Sequence, residues 1–200
     1  MADKSEFHPA PSTLQFVFLD RDGVLNRKLP EGEFVTRRED LVLLPGAARA
    51  VARLNSHGCK VIVITNQRGI GLGLVSEAGL SELHKEMKHD LARDGACIDA
   101  IYHCPHDPGS QACTCRKPAT GLFDQAMKDF SQARRENSVV IGDSLADIQA
   151  GHQLGIYTVY IRGEESNRKP GGEQAAALAD AVAETLDEAV ERLLEKQWYS

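Results

Sequence analysis

Phe16-Val17-Phe18-Leu19-Asp20-Arg21-Asp22-Gly23 joins an unbroken apolar run to a pair of closely spaced acids. Four apolar residues in a row have the length and composition of a strand buried on both faces. The strand stops at two carboxylates spaced two apart, followed by a glycine that lets the backbone turn. In an open parallel α/β sheet, ligands bind in the crevice at the carboxyl ends of the strands. Two acids on such a turn can share a hard cation and divide the roles of nucleophile and proton carrier. A functionless strand-to-loop turn uses the same residue types, so the rest of the chain has to decide between them.

Lys60 starts the β-branched run Val61-Ile62-Val63-Ile64-Thr65, and Ile98–His103, Val139–Asp143 and Ile156–Ile161 read as further strands. Helices alternate with them. Pro45-Gly46 opens one with Ala48, Val51, Ala52 and Leu54 inward, closed by His57-Gly58. Ser76 caps a second with Leu80, Leu83, Met87 and Leu91 inward, leaving His84 and His89 for its surface. Phe123, Ala126, Met127 and Phe130 mark a third, and 145–153 a fourth. A short edge strand at Ala181–Ala183 precedes a last helix, opened by the capping-box pattern Thr185-Leu-Asp-Glu188. Strand–helix alternation predicts an α/β fold: a doubly wound, Rossmann-like parallel sheet with helices on both faces. Residues 21–44 and 66–75 read as loops over the carboxyl edge, and Asn167–Gly172 as another loop. Residues 1–14 read as a disordered tail and 15–200 as a single domain.

Composition bounds the function. A 42% hydrophobic and 26% charged chain of 200 residues supports one sizeable core. Its net charge of −6 argues against nucleic acid or an acidic membrane as partner. The polar Met1–Ser12 does not resemble an export signal, and no apolar run approaches the roughly 20 residues a bilayer needs. The expectation is a cytoplasmic protein, working as a monomer on a small molecule. Five cysteines then point to metal or free thiols rather than to a disulfide framework.

Three strands end in residues suited to phosphate: Asp20 and Asp22 on the first, Thr65 on the second, Asp143 on the fourth. Three converging carboxylates repel one another unless a cation joins them; with Mg²⁺ they form an oxygen site with room for phosphate. Thr65 offers a hydroxyl, the glycine-rich turn behind it offers backbone N–H groups, and Arg116-Lys117-Pro118 supplies fixed positive charge. Taken singly, a capping Thr, a solvated Arg-Lys pair and a turn Asp account for these residues as well.

The set Asp-x-Asp-Gly after a strand, Thr after the next, Lys before a helix and Gly142-Asp143-Ser144-x-x-Asp147 resembles the haloacid dehalogenase (HAD) phosphatase superfamily. The resemblance runs from about Phe16 to Ile161. It implies Asp20 as nucleophile, forming an aspartyl-phosphate, and Asp22 as the acid and base. It further implies that Thr65 and Lys117 hold the phosphoryl group, and that Asp20, the backbone carbonyl of Asp22 and Asp143 hold Mg²⁺. Asp147 matches the trailing acid of that motif, or else sits on a helix surface. Arg21 receives no role.

Cys104-Pro-His106 and Cys113-Thr-Cys115 bring three thiols and an imidazole within twelve positions, a Cys₃His set for structural zinc; free thiols or a redox pair are the alternatives. Filled by four protein ligands, such a site staples the loop that carries Arg116 and Lys117. Cys59 and Cys97 flank core strands and are expected to pack as small hydrophobes. With this loop, Asp20-Arg-Asp-Gly-Val-Leu-Asn26 and Thr65-Asn66-Gln67 resemble the heptose bisphosphate phosphatases, whose near relatives, the histidinol-phosphate phosphatases, share the zinc loop. That implies hydrolysis of the C7 phosphate of D-glycero-D-manno-heptose 1,7-bisphosphate, as in lipopolysaccharide assembly, with Asn66, Gln67, Arg116 and Lys117 lining the substrate pocket. The family pattern Asn-Gln-Ser-Gly-Ile-Ala-Arg-Gly is broken here: Arg68 stands for Ser, Gly71 for Ala and Leu72 for Arg. Arg68 is therefore a candidate for a second phosphate, or a solvated side chain. No insertion large enough for a cap domain follows either of the first two strands. A non-catalytic phospho-ligand module and a phosphotransferase are the remaining alternatives.

Overall fold

The computed structural model describes residues 8–109, 113–163 and 171–195. Strand β1 (Phe16–Leu19) lies at the centre, paired in parallel with β2 (Lys60–Asn66) on one side and β4 (Ser138–Gly142) on the other. Beyond β2 lies β3 (Ala100–Cys104); beyond β4 lie β5 (Tyr157–Ile161) and β6 (Ala181–Ala183). The order β3-β2-β1-β4-β5-β6 is the doubly wound arrangement. The chain winds outward from β1 to β3 and then returns to β4, so the crevice opens between β1 and β4. Asp20 and Asp143 follow directly on those two strands.

Alternation along β1 explains its wholly apolar sequence. Val17 and Leu19 enter one core, built with α1 (Ala47–Ser56), α3 (Glu77–Ala92) and α7 (Leu186–Leu194). Phe16 and Phe18 enter the opposite core, against α4 (Gly121–Asp129), where Phe18 meets Phe123 edge-to-face at 5.5 Å. A smaller cluster joins α5 (Leu145–Gln153) and α6 (Gly172–Leu178) through Ile148, Tyr160 and Ala175. Ser76 caps α3 as expected, its hydroxyl accepting from the Gly79 N–H at 3.0 Å. Only half of the expected box opens α7. Thr185 Oγ1 accepts from Glu188 N, but Glu188 Oε2 accepts from Glu184 N, one residue before the cap.

Other expectations need correction. The stretch 66–75 contains a short helix, α2 (Arg68–Gly71), and α6 begins at Gly172; both are too short to show an apolar period in the sequence. The rest of the expected loop, 167–170, lies outside the described residues, as do residues 1–7 of the expected tail. Residues 8–14 are anchored: the His8 N–H donates to Asp180 at 2.6 Å, Pro11 is buried, and Ala10 and Leu14 pack on the core. Cys59 is buried as expected, whereas Cys97 is exposed. Among the described residues no helix is long and apolar enough to cross a membrane.

Candidate active site at the carboxyl edge of the sheet

Asp20 extends the β1 ladder, its N–H donating to the Ile141 carbonyl of β4 at 3.0 Å. Its Oδ1 lies 3.0 Å from Lys117 Nζ, and Nζ lies 2.6 Å from Asp147 Oδ1 and donates to the Ile64 carbonyl at the end of β2. All three charged groups are buried. Burial alone pushes the Lys117 ammonium toward neutrality, but Asp147 and Asp20 outweigh it and raise its pKa above the usual lysine value. Asn66 fixes the lysine's backbone from both sides, donating Nδ2 to the Lys117 carbonyl and accepting the Lys117 N–H on Oδ1. Asp147 also closes a capping box with Ser144 at the start of α5, so it belongs to the site and not to a helix surface.

Asp143 follows β4 and leans over the first turn. A Cβ built on Gly23 would lie 2.1 Å from Asp143 Oδ2, and Gly23 has φ of 94°. Glycine at this position is thus required twice, by the turn and by the carboxylate lying against it. Oxygen atoms of Asp20, Asp143 and Asp147 all come within 4.8 Å of one another. An all-carboxylate donor set of this kind fits a hard divalent cation.

Asp22 turns the other way. Arg21 grips its carboxylate in a fork, Nη2 reaching Oδ1 and Oδ2 at 2.9 and 3.0 Å and Nε reaching Oδ1 at 3.2 Å. Asn26 Nδ2 and Gln67 Nε2 add donors at 2.9 and 3.0 Å. Gln67 Nε2 also reaches Thr65 Oγ1 at 2.9 Å, joining the threonine to the same network. Behind Arg21 stands His84, its Nε2 3.2 Å from Arg21 Nη1. His84 is buried and not on the surface. Burial first, then the charge of Arg21 and the neighbouring His103, lower its pKa to about 3.

Asp20, Arg21, Asp22, Thr65, Lys117 and Asp147 form the floor of a cavity of about 660 Å³, with residues 28–35 on one wall and Arg68 and Arg116 on another. The long loop after β1 therefore covers the site as expected. Asn66 and Gln67 line the cavity as well. Arg68 is not simply solvated: its Nε is paired with Asp107 Oδ1 at 2.6 Å.

Asp107 belongs to the cysteine loop. Cys104 Sγ lies 3.7 Å from Cys113 Sγ and 3.1 Å from Cys115 Sγ, and His106 Nδ1 lies 3.5 and 3.1 Å from Cys104 and Cys115. Ligands about 2.3 Å from a tetrahedral zinc stand roughly 3.7 Å apart, so the donor set has the chemistry and nearly the size of a zinc site. Burial and the sulfurs of Cys104 and Cys113 push the Cys115 thiol up to about 12, a crowding that a cation would relieve. The loop is seated on α2: a Cβ on Gly71 would come within 2.6 Å of the Asp107 nitrogen and 2.8 Å of the Pro105 carbonyl oxygen. Arg116 Nη1 donates to the His106 carbonyl at 3.4 Å, across the same loop.

Three participants escaped the sequence reading. Arg21 and Asp107 left no signal in spacing. His84 did leave one, since it follows Leu80 by four and precedes Met87 by three, which puts it on the buried stripe of α3.

Residues 114–189 match the HAD-hydrolase-like family model. The chain is 37% identical over 170 residues to a D-glycero-alpha-D-manno-heptose-1,7-bisphosphate 7-phosphatase of Mycobacterium bovis, covering 85% of this chain and 86% of the relative. It is 33% identical over 183 residues to the beta-anomer enzyme of Bordetella bronchiseptica, covering 92% and 99%. A crystal structure of the D,D-heptose 1,7-bisphosphate phosphatase of B. bronchiseptica, complexed with magnesium and phosphate, superposes with a TM-score of 0.80 at 32% identity, over 92% of this chain and 99% of that one.

Proposed function

The chain belongs to the HAD-like hydrolases of the heptose-1,7-bisphosphate 7-phosphatase family, and we propose that it removes the C7 phosphate of D-glycero-D-manno-heptose 1,7-bisphosphate through an aspartyl-phosphate on Asp20. The observation that carries the reaction is the meeting of Asp20 and the buried Lys117 at the floor of the cavity.

A carboxylate oxygen of Asp20 bonds to phosphorus as the bond to O7 breaks, and Asp22 gives its proton to the departing O7. Water then bonds to phosphorus, its proton passes to Asp22, and the bond to Asp20 breaks. Lys117 and the Thr65 hydroxyl bind the non-bridging oxygens, where charge spreads in the transition state. Asp20, Asp143 and the backbone carbonyl of Asp22 would hold Mg²⁺, which would neutralise charge on the transferring phosphoryl group. The magnesium and phosphate in the relative's crystal structure support the choice of magnesium. Cys104, His106, Cys113 and Cys115 would hold a structural zinc, keeping Arg116 over the pocket. Arg68 and Arg116, with Asn66 and Gln67 beside them, would receive the sugar and its distal phosphate.

Phosphate release should be measured on both anomers of heptose 1,7-bisphosphate, histidinol phosphate and other sugar bisphosphates. The heptose substrates should give the highest kcat/KM. Preference for histidinol phosphate would overturn the substrate assignment and leave the phosphatase chemistry standing.

A further inference from the structure

Asp22 is held by a residue that itself needs holding. Arg21 is 1% exposed, so water is not at hand for whichever of its five N–H donors finds no protein partner. Nε and Nη2 are taken up by Asp22. Nη1 points the other way, to Nε2 of His84 at 3.2 Å. A guanidinium has donors and no acceptor, so the direction of this bond is settled: Nη1 donates and Nε2 accepts. His84 is therefore the neutral tautomer with its proton on Nδ1. It stands on the buried stripe of α3 between Leu80 and Met87, so its place is set by the packing of a sixteen-residue helix.

We propose that His84 is a positioning residue for the phosphatase reaction, accepting from Arg21 so that the arginine's fork fixes the Asp22 carboxylate where it meets the leaving oxygen. The inference rests on the reading of Asp22 as proton carrier. The physical reason is that a charged donor left unmet in a buried place is costly. Without the acceptor, Arg21 rotates to find another, and its contacts to Asp22 turn with it. Asn26 and Gln67 still touch the carboxylate, but neither supplies a two-pronged grip. Support of this kind, from a rigid element behind the reacting group, keeps geometry within the tolerance that proton transfer demands.

The test separates positioning of a proton donor from general damage to the site. An alkyl phosphate needs its leaving oxygen protonated, whereas p-nitrophenyl phosphate releases a phenolate that does not. kcat/KM reports the steps through the first irreversible one, departure of the leaving group. His84→Leu removes the acceptor at similar volume and should lower kcat/KM for the sugar phosphate about tenfold or more, with a much smaller loss on the aryl ester. His84→Gln, which can present a carbonyl oxygen to Arg21, should recover most of the loss. Equal losses on both esters in His84→Leu, or no recovery in His84→Gln when thermal unfolding shows both variants folded, would overturn the proposal. Asp22→Asn is the control for the premise. If it too hits both esters equally, Asp22 is not the proton donor and the role of His84 falls with it. If Asp22→Asn discriminates between the esters and His84→Leu does not, only the positioning role falls.

Discussion

Lys117 Nζ stands 3.0 Å from Asp20 Oδ1, so the residue assigned to the phosphate is, before any phosphate arrives, the counter-ion of the nucleophile. Asp147, 2.6 Å from the same ammonium, leaves the lysine paired when Asp20 turns toward phosphorus. Lys117→Met would strand two buried carboxylates and should cost about 3–5 kcal/mol of stability, read by denaturant unfolding, along with all measurable turnover. Adding Asp147→Asn should recover part of the stability and none of the activity.

Asp20→Asn keeps the shape of the nucleophile and removes its charge. Because Asp147 still pairs with Lys117, the fold should survive with a similar melting temperature. Phosphate release should fall by at least about a thousandfold, and phosphoprotein trapped by rapid acid quench should disappear.

Gly23→Ala would place a methyl group in the space of the Asp143 carboxylate at a positive φ. The expected result is a loss of about 1–3 kcal/mol in stability and a rise in the Mg²⁺ concentration needed for half-maximal activity. A variant with unchanged Mg²⁺ dependence would separate Asp143 from the cation.

Zinc in the cysteine loop is testable by elemental analysis, which should find it stoichiometric with the chain. Removing it with a strong chelator, or by Cys115→Ser, should lower the melting temperature and raise KM for the bisphosphate more than it lowers kcat. The reason is that Arg116 and Asp107 lose their support while Asp20 and Asp22 do not.

The buried His84 sets a pH dependence of stability. Its native pKa of about 3 lies below the unfolded value of about 6.5. Between the two, the unfolded chain binds a proton that the native one does not, so this contribution is full above pH about 6.5 and is lost as pH falls toward 3. Arg21 and His103 press in that direction, and the carboxylate of Asp22 opposes them. The slope is at most roughly 1.4 kcal/mol per pH unit. His84→Gln should show a correspondingly shallower acid limb in denaturant titrations at stepped pH.

The sheet was legible because buried parallel strands need continuous apolar runs, and Phe16–Leu19 and Val61–Ile64 have no other use. Residues that end those strands were legible for the same reason: their positions are dictated by the strands before them. What stayed hidden depends on contacts between segments distant in sequence. Arg21 looks like a surface residue until α3 brings His84 behind it. Arg68 looks solvated until the cysteine loop brings Asp107 beside it. The short helix at Arg68–Gly71 has too few apolar residues to show a period, and the anchoring of residues 8–14 depends on Asp180, far along the chain.

Gly71 packs so close to the backbone of Pro105 and Asp107 that a side chain there would have no room. The loop that carries Asp107 up to Arg68 is therefore shimmed from below by a residue outside the lining of the cavity. One added methyl, as in Gly71→Ala, must lift the loop or push it sideways, carrying Asp107 away from Arg68. The pocket wall at Arg68 can then shift by the thickness of a single carbon while Asp20, Asp22, Thr65 and Lys117 stay in place.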